Sequence, residues 1–127
     1  MSPHEKIRIP SILTNFRIFA KEIFLLITSS VFILLTIIGN AFIGVFSTAF
    51  YYFEHGVNPK IDQYVDALWW GFATATTTGY GDITPMTMPG KLLGMALMLV
   101  GMAFFGMFTA IFAETILTSS RKYRQDR

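Results

Sequence analysis

The sequence predicts an all-α membrane protein with two transmembrane helices and a shorter apolar segment between them that re-enters the bilayer. Three observations lead to this prediction. The 127-residue chain is 53% hydrophobic. Its basic residues concentrate near the two ends, and two of its uncharged runs are long enough to cross a bilayer while a third is too short. A chain of this length forms one domain, and the lack of cysteine removes disulfides and thiolate metal sites.

The distribution of charge predicts the orientation. Basic residues near the ends are Lys6, Arg8, Arg17, Lys21, Arg121, Lys122, Arg124 and Arg127. Between Glu54 and Gly90 the only basic residue is Lys60. By the positive-inside rule we expect a multi-pass protein of the cell membrane, embedded in lipid, with both termini cytoplasmic.

Residues 1–22 are expected to form an amphipathic segment, interfacial or cytoplasmic. Phe16 and Phe19 share one helical face, and Arg17 and Lys21 lie on another. This pattern favours a helix on the inner membrane surface, although a basic anchor that only fixes topology fits equally well.

The first span is predicted over 23–53, an uncharged run of about 46 Å as a helix, which must tilt or project from the bilayer. An outer loop follows over 54–64. The next uncharged run, Ala67 to Gly81, is too short to span and too apolar for a loop, so we predict a re-entrant helix over 65–76 and an extended segment over 77–81. A second span is predicted over 91–117, before a basic tail over 121–127.

The segment Thr77-Thr78-Gly79-Tyr80-Gly81, followed by Asp82 and preceded by Trp69-Trp70, resembles the selectivity filter of potassium channels. The resemblance covers most of the chain and identifies 23–120 as a two-transmembrane pore domain of prokaryotic type. It implies K⁺ as the permeant ion, bound by oxygens of Thr77, Thr78, Gly79 and Tyr80, and no organic cofactor. Since one chain cannot ring an axis, it also implies a homotetramer with three identical subunits. Gly79 and Gly81 are the residues that reach positive φ without steric cost.

Four residues are expected to support the filter: Gly81, Asp82, Trp69 and Trp70. The resemblance favours a collar of tryptophans with Trp70 near Asp82 and Tyr80. Interfacial anchoring is the other interpretation of these tryptophans.

The resemblance places a gate hinge at Gly101, although this glycine could equally allow close helix packing. Cavity-lining and inner-mouth positions would be Met102, Phe105, Thr109, Ala113 and Glu114. Glu114 would form an acidic ring or pair with a basic residue of the tail.

Two positions depart from the family pattern. Thr78 stands where Val or Ile is commoner, and its hydroxyl needs a partner behind the filter. Ala73 stands where some members carry a glutamate paired to the filter aspartate, so inactivation of that type is expected to be weak.

The function predicted is passive, potassium-selective conduction gated by the inner helix near Gly101. A weakly selective cation channel on the same fold is one alternative, and a small membrane interaction subunit that pairs through Gly90 and Gly94 is another. We expect no enzyme activity, no nucleic-acid partner and no voltage sensor within these residues. A possible cytoplasmic regulatory domain, missing from this chain, would explain why the sequence does not indicate a gating stimulus.

Overall fold

The computed structural model describes residues 9–125 as four α-helices, with side chains described for 16–118. The helices are α1 (Ile9–Ile27), α2 (Ser30–Glu54), α3 (Tyr64–Ala75) and α4 (Met88–Gln125). Helix α2 and the Met88–Thr118 part of α4 are long and apolar enough to cross a membrane. The 12 residues of α3 are too few to do so. The prediction of an all-α protein with two spans is therefore confirmed.

The expected outer helix over 23–53 is wrong at its start, because the helix breaks at Thr28 and Ser29. The Thr28 hydroxyl donates to the carbonyl of Phe24 at 2.8 Å, and Ser29 caps α2 by accepting from the N–H of Phe32 at 3.3 Å. These side-chain bonds compete with a continuous helical ladder. Residues 23–27 thus belong to α1 together with the amphipathic segment, of which residues 1–8 lie outside the described part.

The short helix α3 begins with a carboxylate cap. Asp66 Oδ2 accepts from the backbone N–H of Gln63 at 2.8 Å and from that of Asp62 at 3.1 Å. These bonds satisfy donors that the first turn would leave free, and the negative charge complements the helix dipole. Helix α3 runs over Tyr64–Ala75, one residue earlier at each end than expected.

Helix α4 is longer than the predicted 91–117, since it extends over the 38 residues Met88–Gln125. Its length of about 57 Å exceeds the hydrocarbon core of a bilayer. No proline or glycine follows Gly106, so nothing in the sequence ends the helix before the tail. The side chains of 119–127 lie outside the described residues.

Helix α3 is wedged between the carboxyl-terminal half of α2 and the amino-terminal half of α4. Trp70 of α3 stacks on Phe50 of α2, with ring centroids 3.5 Å apart at 7°, and both residues are buried. Farther along the spans, Phe42 meets Phe104 with centroids at 5.9 Å. This packing fixes the carboxyl end of α3, from which the segment 76–82 continues.

Candidate functional site

The backbone that follows α3 alternates in handedness. Thr77, Gly79 and Gly81 have φ of 60°, 55° and 78°, whereas Thr78 and Tyr80 are not among the residues with positive φ. Such alternation is neither helix nor strand, and it gathers successive peptide groups of one kind on one side. The two glycines adopt the conformation expected of them. Thr77 was not expected there, because a positive φ is an outlier for a β-branched residue and costs about 1–3 kcal/mol.

The alternating segment is tied to the end of α3 by its own backbone. The N–H of Thr77 donates to the carbonyl of Thr74 at 3.1 Å, and the N–H of Gly79 donates to that of Ala73 at 3.0 Å. These bonds satisfy carbonyls that the last turn of a helix leaves without partners. They also over-determine the conformation of Thr77, as a strained residue requires.

The hydroxyl of Thr78 has the partner that the sequence left open. It lies 2.9 Å from the hydroxyl of Thr76, which itself donates to the carbonyl of Phe72 at 2.7 Å. A hydroxyl carries one hydrogen, so Thr76 accepts and Thr78 donates. The threonine therefore adds one hydrogen bond that the commoner valine could not make.

The two tryptophans have roles opposite to the expected ones. It is Trp69 whose indole N–H donates to Asp82 Oδ2 at 2.7 Å, and its ring stacks on Tyr80 with centroids 5.3 Å apart at 8°. Trp70, expected near Asp82 and Tyr80, instead packs on Phe50. Successive residues of a helix point about 100° apart, so the pair cannot share one face.

Asp82 is stabilised as a carboxylate. The Trp69 indole hydrogen bond is the main reason that its pKa lies below the ordinary value, and the charge of Lys60 adds to the effect. The Lys60 ammonium also donates to the backbone carbonyl of Asp82. Asp82 thus has partners although Ala73 offers none.

Glu54 anchors the loop that follows Asp82, a role that the sequence analysis missed. Its Oε1 accepts from the N–H and the hydroxyl of Thr87 at 2.8 and 2.7 Å. Its Oε2 accepts from Met86 N at 2.9 Å and from Asn58 Nδ2 at 2.8 Å. The side chain is fully buried. A carboxylate at the end of an apolar span indicates a residue that needs polar partners. The sequence could not identify Met86 and Thr87, which lie more than 30 residues away, as those partners.

Three glycines of α4 allow close approach within the chain. A Cβ on Gly90 would overlap Glu54 Oε1, and one on Gly94 would lie 3.4 Å from Trp70. A Cβ on Gly101 would overlap the backbone of Ala75, only 2.8 Å from its Cα. The Gly90 and Gly94 surface is therefore occupied inside the chain. The contact of Gly101 with Ala75, the last residue of α3, supports the interpretation that this glycine allows close helix packing.

The remaining predicted residues are all exposed on α4, and four of them lie along one side: Met102, Phe105, Thr109 and Ala113. Glu114 lies on another side, since successive residues of a helix point about 100° apart. On another side of α4, Phe108 packs against Phe32 of α2 with centroids 5.3 Å apart. The exposed side is free to face a central axis in an assembly. Among the described residues, no group of three or more His, Cys, Asp or Glu could hold a metal ion.

Comparisons with known proteins agree on one family. The family model described as "Ion channel" matches residues 38–118. The chain is 43% identical over 72 residues to a voltage-gated potassium channel of Aeropyrum pernix, and 39% identical over 67 residues to the human potassium voltage-gated channel subfamily KQT member 3. These matches cover 56% and 52% of this chain but only 22% and 8% of the two relatives.

Solved structures give the same answer at the level of the fold. A crystal structure of a voltage-gated K⁺ channel pore module, in a closed state in lipid membranes, matches 65% of this chain and 86% of its own length. The TM-score is 0.57 and the identity 36%. A second closed-state pore domain matches with a TM-score of 0.56, at 39% identity, and covers 63% of this chain and 88% of its own.

Proposed function

Because this chain belongs to the ion-channel family, we propose that four copies of it form the pore of a potassium-selective channel. The chain is a membrane channel protein and not an enzyme. The relatives are named as potassium channels, and the chain spans a small part of their length. Potassium conduction by the pore is therefore the proposal.

One observation carries the proposal: positive φ recurs at every second residue from Thr77 to Gly81. With successive carbonyls on one side, Thr77, Thr78, Gly79 and Tyr80 present oxygens to a common axis, and the Thr77 hydroxyl adds a fifth level. Four chains around that axis would form four cages of about eight oxygens each, which replace the water of a K⁺ ion. Gly81, Asp82 and Trp69 hold the outer end of this filter, while Trp70 holds α3 in place.

The exposed apolar side chains support assembly in a membrane. Met95, Met98 and Leu99 of α4 are each more than half exposed in a single chain. In the proposed tetramer, neighbouring copies and lipid cover them. The carboxyl end of each α3 would then point at the centre of the pore, where its partial negative charge favours a cation.

Topology and gating follow from the same arrangement. We infer cytoplasmic termini in the cell membrane, with α1 at the inner surface and the loop before α3 outside. The inner ends of α4, from Met102 to Glu114, would line the cavity and its mouth. Opening would splay α4 near Gly101. Because Gly101 packs against Ala75, such a movement would also displace the end of α3 at the base of the filter.

The experiment that tests this proposal is ion flux from liposomes that contain the purified protein. Loaded K⁺ should leave, external Ba²⁺ should block the efflux, and loaded Na⁺ should be retained. Light scattering should give the mass of four chains. Equal release of K⁺ and Na⁺ would favour the weakly selective channel, and a monomer without flux would refute the proposal.

A further inference from the structure

We propose that Lys60 is a counter-charge at the outer mouth of the pore, which limits the accumulation of external cations there. The inference rests on the proposed function, since it concerns access to the filter. Lys60 lies in the loop between α2 and α3, 22 residues before Asp82, and its ammonium group donates to the Asp82 carbonyl. It thus places a positive charge where the filter ends.

The backbone of Lys60 is held in place. Its N–H donates to Asn58 Oδ1 at 3.1 Å. The amide of Asn58 in turn donates to the buried Glu54 carboxylate at 2.8 Å and to the carbonyl of Thr84, beyond the filter, at 2.9 Å. The loop that carries Lys60 is therefore anchored to the end of α2 and to the segment that follows the filter. The lysine does not extend from a free loop.

The balance of charge gives Lys60 its effect. Asp82 is ionised at neutral pH, and the indole of Trp69 donates to its carboxylate, so the charges of Lys60 and Asp82 cancel in each chain. Loss of Lys60 would make the mouth more negative by one charge per chain, and by four charges around the pore. A mouth lined by charge of one sign raises the local concentration of counter-ions and the rate at which they arrive. Both groups are solvent-exposed, so salt will screen this effect.

Single-channel recording of Lys60→Gln in planar bilayers tests the proposal. In about 0.01 M K⁺, where the Debye length is about 30 Å, the inward conductance of the variant should exceed that of the unmodified chain about twofold or more. In about 1 M K⁺, where it is about 3 Å, the two should agree. External Ba²⁺ should block the variant at lower concentration, whereas internal Ba²⁺ should act equally on both.

Two controls separate charge from structure. Lys60→Arg keeps the charge and should behave like the unmodified chain. Lys91→Gln removes the other lysine expected outside, at the start of α4, and should change little. A purely structural role would alter conductance at all salt concentrations, and that result, or no change in Lys60→Gln, would overturn the inference. Failure of the unmodified chain to conduct K⁺ would instead refute the proposed function.

Discussion

At the scale of single residues, the filter segment depends on what each backbone position tolerates. Gly79 and Gly81 could be assigned positive φ from the sequence because glycine alone adopts it without cost. Thr77 could not, since its conformation is imposed by the bonds that hold the segment to α3. The sequence also could not show that Trp69, rather than Trp70, contacts Asp82. A resemblance identifies the pair, but only the register of α3 decides which indole reaches Asp82.

Trp69→Phe tests the support of Asp82, since it keeps a ring for Tyr80 and removes the indole donor. The pKa of Asp82 should rise towards the ordinary value of about 3.9. A lowered pKa contributes stability that is present above the unfolded value and is lost as pH falls through the folded one. In the variant, where the two pKa values lie closer together, this contribution should be smaller at neutral pH and its loss should be complete at higher pH. Thermal stability of both proteins, measured from neutral to strongly acid pH, checks this. The same dependence of stability on pH in both proteins would contradict it.

At the scale of helices, glycines decide how closely α4 approaches its neighbours. The positions of the two spans could be predicted from uncharged runs and bilayer thickness. The break at Ser29 was hidden, because a capping serine inside an uncharged run looks like any other polar residue of a span. The contact of Gly101 with Ala75 was also hidden, because it joins helices that the sequence cannot orient.

Gly101→Ala should destabilise the packing of α4 on α3, since its Cβ would overlap the Ala75 backbone. Overpacking of this kind costs about 1–3 kcal/mol. Gly106→Ala is the matched control on the same helix, because nothing lies within 4 Å of its Cβ. It should be neutral or stabilise the helix by up to about 1 kcal/mol. Equal thermal stability of the two variants would refute the packing role, and open probability measured in both separates packing from a hinge.

Glu54→Gln tests the anchor between α2 and the start of α4. Whichever way the amide turns, its NH₂ group faces two donors that the carboxylate satisfied. The cost should be about 2–4 kcal/mol, measured as a loss of thermal stability. Asp62→Asn alters an exposed carboxylate of the same loop and should have almost no effect. A Glu54→Gln protein as stable as Asp62→Asn would show that the anchor is not needed.

At the scale of the whole molecule, we propose that the chain is one quarter of a potassium-selective pore. The fold class could be predicted from hydropathy and charge, and the proposed filter from the resemblance of a short motif between two spans. Long-range polar contacts, such as those of Glu54 and Lys60, could not be predicted from the sequence because they depend on how the loops fold. Lys60 holds Asp82 at the end of the segment, and Glu54 holds Met86 and Thr87 in the loop that follows it.

The most direct test of that claim is the reversal potential of the purified protein in a planar bilayer, with K⁺ on one side and Na⁺ on the other. A selective pore predicts a potential far from zero, with the sign set by K⁺ flow. The current should also disappear when both sides hold Na⁺ alone. A measurable current that reverses near zero would contradict the claim, and would make the protein a weakly selective cation channel.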